Sequence, residues 1–268
     1  MPAHPCHECN ISRLFPPATI RSVNPLSTPA SIAPGWDDFD AYLFDIDGTL
    51  MREPNRIHVN AFTSCLREVL HRDVSLEGVT VHGSTDAAIL RDACRLAGVD
   101  DAHWKPLERR IFSRLAETVH AKRHLMEMVL MPSVVETLEY LASRGKVLGV
   151  GTGNLESIGW LKLEQAGLRH FFTFGGFSDL YAVRSDMIAN AADEARKLAG
   201  PHATLCVIGD TPSDVTAAHA NGIPAIAVAT SIFSVEELSR VNPEWAVPSL
   251  QSLLDQTIAT AASSNGKS

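Results

Sequence analysis

Three short stretches hold residues able to do chemistry, and each follows an apolar run. Asp45-Ile46-Asp47-Gly48-Thr49 comes after Ala41-Tyr42-Leu43-Phe44, Thr152-Gly153-Asn154 lies beyond Val147-Leu148-Gly149-Val150, and Gly209-Asp210-Thr211-Pro212-Ser213-Asp214 lies beyond Leu205-Cys206-Val207-Ile208. Taken singly, Asp-Gly-Thr is a common turn, Thr152 a common helix cap and Asp214 a common acid in a first helical turn. Taken together, four carboxylates converging on one place would repel one another and raise each other's proton affinity unless a cation holds them. A hard divalent ion is the economical expectation: Mg²⁺ takes oxygen ligands, keeps several waters and needs only one or two carboxylates beside a substrate phosphate. Next to such an ion, Asp45 could attack the phosphorus of an ester and form an acyl phosphate. Asp47 could protonate the leaving oxygen and then take the proton of the water that breaks the intermediate.

These residues need a scaffold that brings distant stretches together. The apolar runs, with a fourth at Ala225-Ile226-Ala227-Val228, read as strands buried on both faces. Segments of helical period separate them at 133–143, 155–166, 185–198 and 213–221. Such alternation predicts parallel βαβ units, hence an α/β fold with a Rossmann-like doubly wound sheet, whose ligands gather beyond the carboxyl ends of the strands. From about Arg56 to about Met128 the pattern is helical throughout, clearest over 59–70, 85–96 and 107–119. This predicts a helical cap inserted after the first strand, with Pro54 and Pro132 at joints suited to hinging. The expected division is a disordered Pro-rich leader at 1–36, a core at 37–54 and 130–268, and a cap at 55–129.

Composition narrows the partners. The 268 residues are 45% hydrophobic, enough for a substantial core, and the formal charge of -8 is scattered without a basic block, which argues against nucleic acid. No apolar run reaches the length of a membrane span, and there is no secretory pattern at the start. Five cysteines are a poor disulfide framework and fit a reducing compartment. Cys6 and Cys9 form a C-x-x-C without a second ligand pair at zinc spacing. The expectation is a cytoplasmic protein, monomer or homodimer, acting on a small phosphorylated metabolite.

Asp45-x-Asp47-Gly48-Thr49-Leu50, Thr152 at a strand end and Gly209-Asp210-x-x-x-Asp214 resemble, in order and setting, the signature of the haloacid dehalogenase superfamily. Within it the chain is similar to the phosphoglycolate-phosphatase-like branch, over residues 40–255. The resemblance implies Asp45 as nucleophile and Asp47 as acid and base. It implies Mg²⁺ on Asp45, Asp210 and the backbone carbonyl of Asp47, with Asp214 binding or orienting from behind. Thr152 and the amides of Gly153 and Asn154 would hold the phosphoryl group. The family's usual lysine before the last metal motif is absent. Arg184 stands in its place and can supply the charge and donors; Lys162 is the fallback, and Lys197 lies too far along its helix.

In the insertion, His58, Gly83, Thr85, Asp86 and Arg91 are the candidates for substrate contact. A β-phosphoglucomutase-like sugar phosphomutase shares every core residue and remains open as an alternative, as does a non-catalytic phospho-ligand-binding protein. Haloacid dehalogenation needs no second acid at Asp47, and phosphonate cleavage needs a cap lysine in an apolar pocket, which neither Lys105 nor Lys122 provides.

Overall fold

The computed structural model describes residues 35–265, so the Cys6/Cys9 pair and nearly all of the expected leader lie outside the described residues. In chain order the strands are β1 (Ala41–Phe44), β2 (Met51–Arg52), β3 (Val129–Leu130), β4 (Val147–Gly151), β5 (Gly175–Gly176), β6 (Leu205–Gly209), β7 (Ala225–Val228) and β8 (Trp245–Val247). The helices of four residues or more are α1 (Ile57–Leu70), α2 (Asp86–Leu96), α3 (Asp101–Ala121), α4 (Val134–Ser143), α5 (Glu156–Gln165), α6 (Arg184–Ala199), α7 (Pro212–Ala220), α8 (Val235–Ser239) and α9 (Leu250–Asn265).

Six strands form one parallel sheet in the order β5-β4-β1-β6-β7-β8. The chain runs outward from β1 in both directions, so β1 is the topological switch point, and a crevice opens beyond its carboxyl end. Strand periodicity sorts the side chains: Tyr42 and Phe44 join the layer under α4 and α9, whereas Ala41 and Leu43 join the layer under α6, α7 and α8. All four side chains are fully buried, as a central parallel strand requires.

The expected strands and core helices form, with ends shifted by a residue or so. Several elements escape sequence reading. β5 is two glycines with no side chains to display a period, and β2 and β3 are a two-residue antiparallel ribbon at the base of the insertion. α3 begins six residues before its clearest pattern because Asp100 caps it, accepting from the His103 amide at 2.9 Å, and the helix runs through Pro106. Trp36, assigned by the expected boundary to the leader, is buried in the core. Its ring stacks obliquely on Tyr140 with centroids 5.7 Å apart, and its indole donates to Thr257 at 2.9 Å. The core therefore extends to residues ahead of 37.

α1, α2 and α3 pack around Phe62, Leu66, Leu90, Ile111 and Leu115, an apolar cluster that also takes in Leu155, Ile158 and Leu161 from around α5. The insertion thus shares its interior with a core helix. Among the described residues no helix is long and apolar enough to cross a membrane.

Candidate active site

The three stretches meet at the switch point. Asp45 follows β1 and is fixed by its own amide, which donates to Ile208 O of β6 at 2.9 Å. Asp210 follows β6, and Asp214 lies in the first turn of α7. Carboxylate oxygens of Asp45, Asp210 and Asp214 all fall within 4.8 Å of one another, and all three residues are buried.

Each acid is held by local chemistry. Asp214 Oδ2 accepts from the Thr211 amide at 3.0 Å and hydroxyl at 2.7 Å, closing a capping box that also starts α7. Asp210 Oδ1 accepts from Thr49 Oγ1 at 3.0 Å, and Oδ2 accepts from Ser231 Oγ. Gly48 sits at φ +92°, and a Cβ there would collide with the Asp210 carboxylate, so the turn between Asp47 and Thr49 demands glycine twice over.

Arg184, at the start of α6, is the cation of this cluster. Its Nη2 lies 3.1 Å from Asp45 Oδ1 and 2.6 Å from Asp214 Oδ1, and its Nη1 donates to Gly83 O of the insertion at 3.4 Å. Lys162 stands elsewhere: its Nζ is 2.8 and 2.6 Å from the two oxygens of Asp47. The fallback residue therefore serves Asp47 and not the Asp45 cluster.

The titration behaviour follows from these contacts. Burial pushes the Asp45 carboxyl well above its ordinary value, Arg184 pulls it back, and Asp214, Asp210 and Asp47 push it further up. Burial and then Asp214 raise Asp210 to about 7 against the hydrogen bonds from Ser231 and Thr49. Asp47 goes the other way: burial disfavours its charge, but the Lys162 ammonium and the hydrogen bonds from Lys162 and Asn154 outweigh it and hold the carboxyl below the usual range. For Arg184, burial opposes the charge and the pull of Asp214 and Asp45 overcomes it, so the guanidinium stays charged.

This donor set fits a hard divalent ion. Three buried carboxylates face one guanidinium, so ionising all three would leave about two negative charges uncompensated in a low-dielectric site unless a cation joins them. Asp214 Oδ1 has no well-formed hydrogen bond among the described residues, and every candidate ligand is an oxygen, as Mg²⁺ requires.

Thr152 follows β4 and is fully buried, its amide donating to Gly176 O at 3.1 Å, and it lines the cavity over the cluster. The Asn154 amide is directed at Thr152 Oγ1 at 3.4 Å, and the Asn154 side chain donates to Thr152 Oγ1 at 2.7 Å and to Asp47 Oδ2 at 2.8 Å. Asn154, whose backbone amide was expected to help hold the phosphoryl group, lines the cavity with its side chain tied to Thr152 and Asp47. A cavity of about 270 Å³ opens over the cluster, lined by Asp45, Asp47, Thr152, Gly153, Arg184 and Asp210 below and by His58, Val59, Phe62, His82, Gly83 and Ile89 of the insertion above.

Of the insertion candidates, His58, Gly83 and Asp86 line this cavity. Thr85 is buried and donates to Ala182 O at 2.9 Å, and Arg91 lies outside, paired with Asp101 at 2.9 Å. Sequence reading missed Ser231 and the hydroxyl of Thr49 as holders of Asp210; the only signal was their small hydroxyls next to strand ends.

The haloacid dehalogenase-like hydrolase family model matches residues 42–228, which includes every acid of the cluster. The chain belongs to that family. Among curated relatives of this haloacid dehalogenase-like hydrolase is the phosphoglycolate phosphatase of Mesorhizobium japonicum, 30% identical over 189 residues that cover 69% of this chain and 81% of the relative. Another, from Pseudomonas syringae pv. syringae, is 28% identical over 219 residues, covering 79% and 77%. The crystal structure of CbbY from Rhodobacter sphaeroides in complex with phosphate shares the fold, with a TM-score of 0.56 at 22% identity over 71% of this chain and 86% of that one.

Proposed function

We propose that this haloacid dehalogenase-like phosphatase hydrolyses a small phosphomonoester through an aspartyl-phosphate on Asp45, with Mg²⁺ as cofactor and phosphoglycolate as the favoured substrate. The observation that carries the reading is the meeting of the Asp45 and Asp210 carboxylates in one buried cluster that opens into a cavity of about 270 Å³. Phosphoglycolate is favoured because two relatives bear that name.

In this mechanism Asp45, Asp210 and the Asp47 carbonyl would hold Mg²⁺, with Asp214 orienting from behind, and the ion would neutralise phosphoryl charge. A carboxylate oxygen of Asp45 attacks phosphorus while the bond to the ester oxygen breaks, and Asp47 supplies the proton to that leaving oxygen. The Thr152 hydroxyl, the Gly153 amide and Arg184 cradle the transferring group. Asp47, now a carboxylate, takes a proton from water, which attacks phosphorus and frees Asp45 and inorganic phosphate. α1 to α3 act as the cap that keeps bulk water out of the first step. Free, buried Cys65, Cys94 and Cys206 suit the reducing cytoplasm in which we place the enzyme.

The test is a panel of phosphorylated metabolites with p-nitrophenyl phosphate, assayed for free phosphate with Mg²⁺ and with EDTA. Mg²⁺-dependent release of phosphate is the expected result. Isomerised sugar phosphate from a sugar 1-phosphate would shift the assignment to a mutase, and binding without turnover anywhere on the panel would overturn catalysis.

Cap seating carries its own expectation. A Cβ on Gly153 would lie 2.7 Å from Ser84 O and 3.0 Å from Thr85 Cα, both backbone atoms of the insertion. Gly153→Ala should lift that segment off the phosphoryl cradle and lower kcat/KM by about 10-fold or more, since small misplacements cost that much. Steady-state kinetics on p-nitrophenyl phosphate would show it, alongside an unchanged melting temperature.

A further inference from the structure

Lys162 is a fully buried lysine in the middle of α5, and such a group persists only if its charge and its donors are used. All are. Nζ lies 2.8 and 2.6 Å from Asp47 Oδ1 and Oδ2, 2.9 Å from Asn154 Oδ1 and 3.0 Å from His58 Nδ1. An ammonium has donors and no acceptor, so His58 Nδ1 must accept, which puts the imidazole proton on Nε2. That nitrogen lies 3.1 Å from Asp86 Oδ2, and Asp86 is itself held by the Leu155 amide at 2.9 Å. Two partners thus aim one ammonium: Asn154 from beside β4, and His58, with Asp86 behind it, from the insertion.

At the other end of this chain, Asp47 meets donors alone: Lys162 Nζ on both oxygens and Asn154 Nδ2 at 2.8 Å on Oδ2. A protonated Asp47 would find no acceptor for its proton among these groups. The arrangement therefore orients both oxygens of the carboxylate, which is the form that draws a proton from water.

We propose that Lys162 is a positioning residue for Asp47 in the second half of the reaction, holding the carboxylate as the base that activates the hydrolytic water, and that His58 aims Lys162 from the insertion. This rests on the phosphatase reading and deepens it by dividing the two steps between different partners of one residue. The base takes a proton from water, the water oxygen forms the new bond to phosphorus, and the bond from phosphorus to Asp45 breaks.

The experiment is the kinetic split between the steps. kcat/KM reports events through formation of the phospho-enzyme, whereas kcat includes its hydrolysis. Lys162→Met should lower kcat by on the order of 10–100-fold, the scale of base catalysis, with kcat/KM on p-nitrophenyl phosphate within about 3-fold of wild type. Phospho-enzyme should accumulate, visible by intact mass after acid quench. His58→Ala, which leaves the lysine in place, should move the same quantities in the same direction by a smaller factor. It also keeps the test alive if the methionine variant folds poorly.

In an Asp47→Asn background, Lys162→Met should change kcat by less than about 3-fold, because the group it positions is gone. A parallel fall of kcat and kcat/KM, no phospho-enzyme, or full additivity with Asp47→Asn would overturn the proposal. Wild-type protein without Mg²⁺-dependent turnover would instead bring down the phosphatase reading beneath it, so the two failures are distinguishable.

Discussion

Asp45→Asn should reduce turnover by about 10³-fold or more while leaving the protein folded and at least as heat-stable. The loss is expected because the carboxylate oxygen is the atom that bonds to phosphorus, and an amide oxygen of the same shape is too poor a nucleophile to replace it; knocking out a nucleophile typically costs this much or more. Stability should not suffer, because burial and three neighbouring carboxylates already oppose the charge of Asp45, with only Arg184 pulling the other way. In the variant Arg184 keeps its 2.6 Å contact with Asp214 and the cluster loses one repelling charge. The checks are phosphate release on the best substrate, a melting curve, and intact mass after acid quench, which should show no phosphorylated protein. Turnover within tenfold of wild type would remove Asp45 from the role.

Removing the divalent ion should have the second largest effect, and its pH dependence has a definite sign. Asp210 is raised to about 7 in the folded protein, first by burial and then by Asp214, from an ordinary value of 3.8. Between those values the folded state binds a proton that the unfolded state has released, so the metal-free protein loses stability as pH rises from about 4 to about 7, by a few kcal/mol. An ion bound to the carboxylates of the folded state restores it by mass action. Saturating Mg²⁺ should therefore raise the melting temperature more at pH 8 than at pH 5.5, while EDTA abolishes turnover at both. Asp210→Asn should weaken that Mg²⁺ response and flatten the metal-free pH profile. A melting temperature indifferent to Mg²⁺ at pH 8 would count against an ion at this cluster.

The core of this site was legible because its residues sit where apolar runs stop. Asp45, Thr152 and Asp210 each follow a buried strand, and in a parallel sheet such positions must converge on one crevice. The identity of the cation was harder: Arg184 and Lys162 were both in view, and only the packing of α5 and α6 decides that one faces Asp45 and the other Asp47. His58 and Asp86 were singled out for substrate contact, yet His58 also meets Lys162, 104 residues away, with Asp86 behind it, and no local pattern encodes that. Ser231 and Thr49 escaped for the opposite reason: a lone hydroxyl after a strand is too common to stand out. β5 was unreadable because glycine carries no period, and Trp36 was misassigned because its proline-rich neighbours set the composition of the window.

The sharing of Ile158, Leu161 and Leu155 between the core and the interior of α1 to α3 has a practical outcome for anyone trimming the chain. Excising residues 55–129 to obtain a minimal catalytic scaffold would bare a greasy stripe along α5 and strand the Lys162 ammonium beside water-exposed hydrocarbon. Such a fragment should self-associate at concentrations where the whole chain stays dispersed.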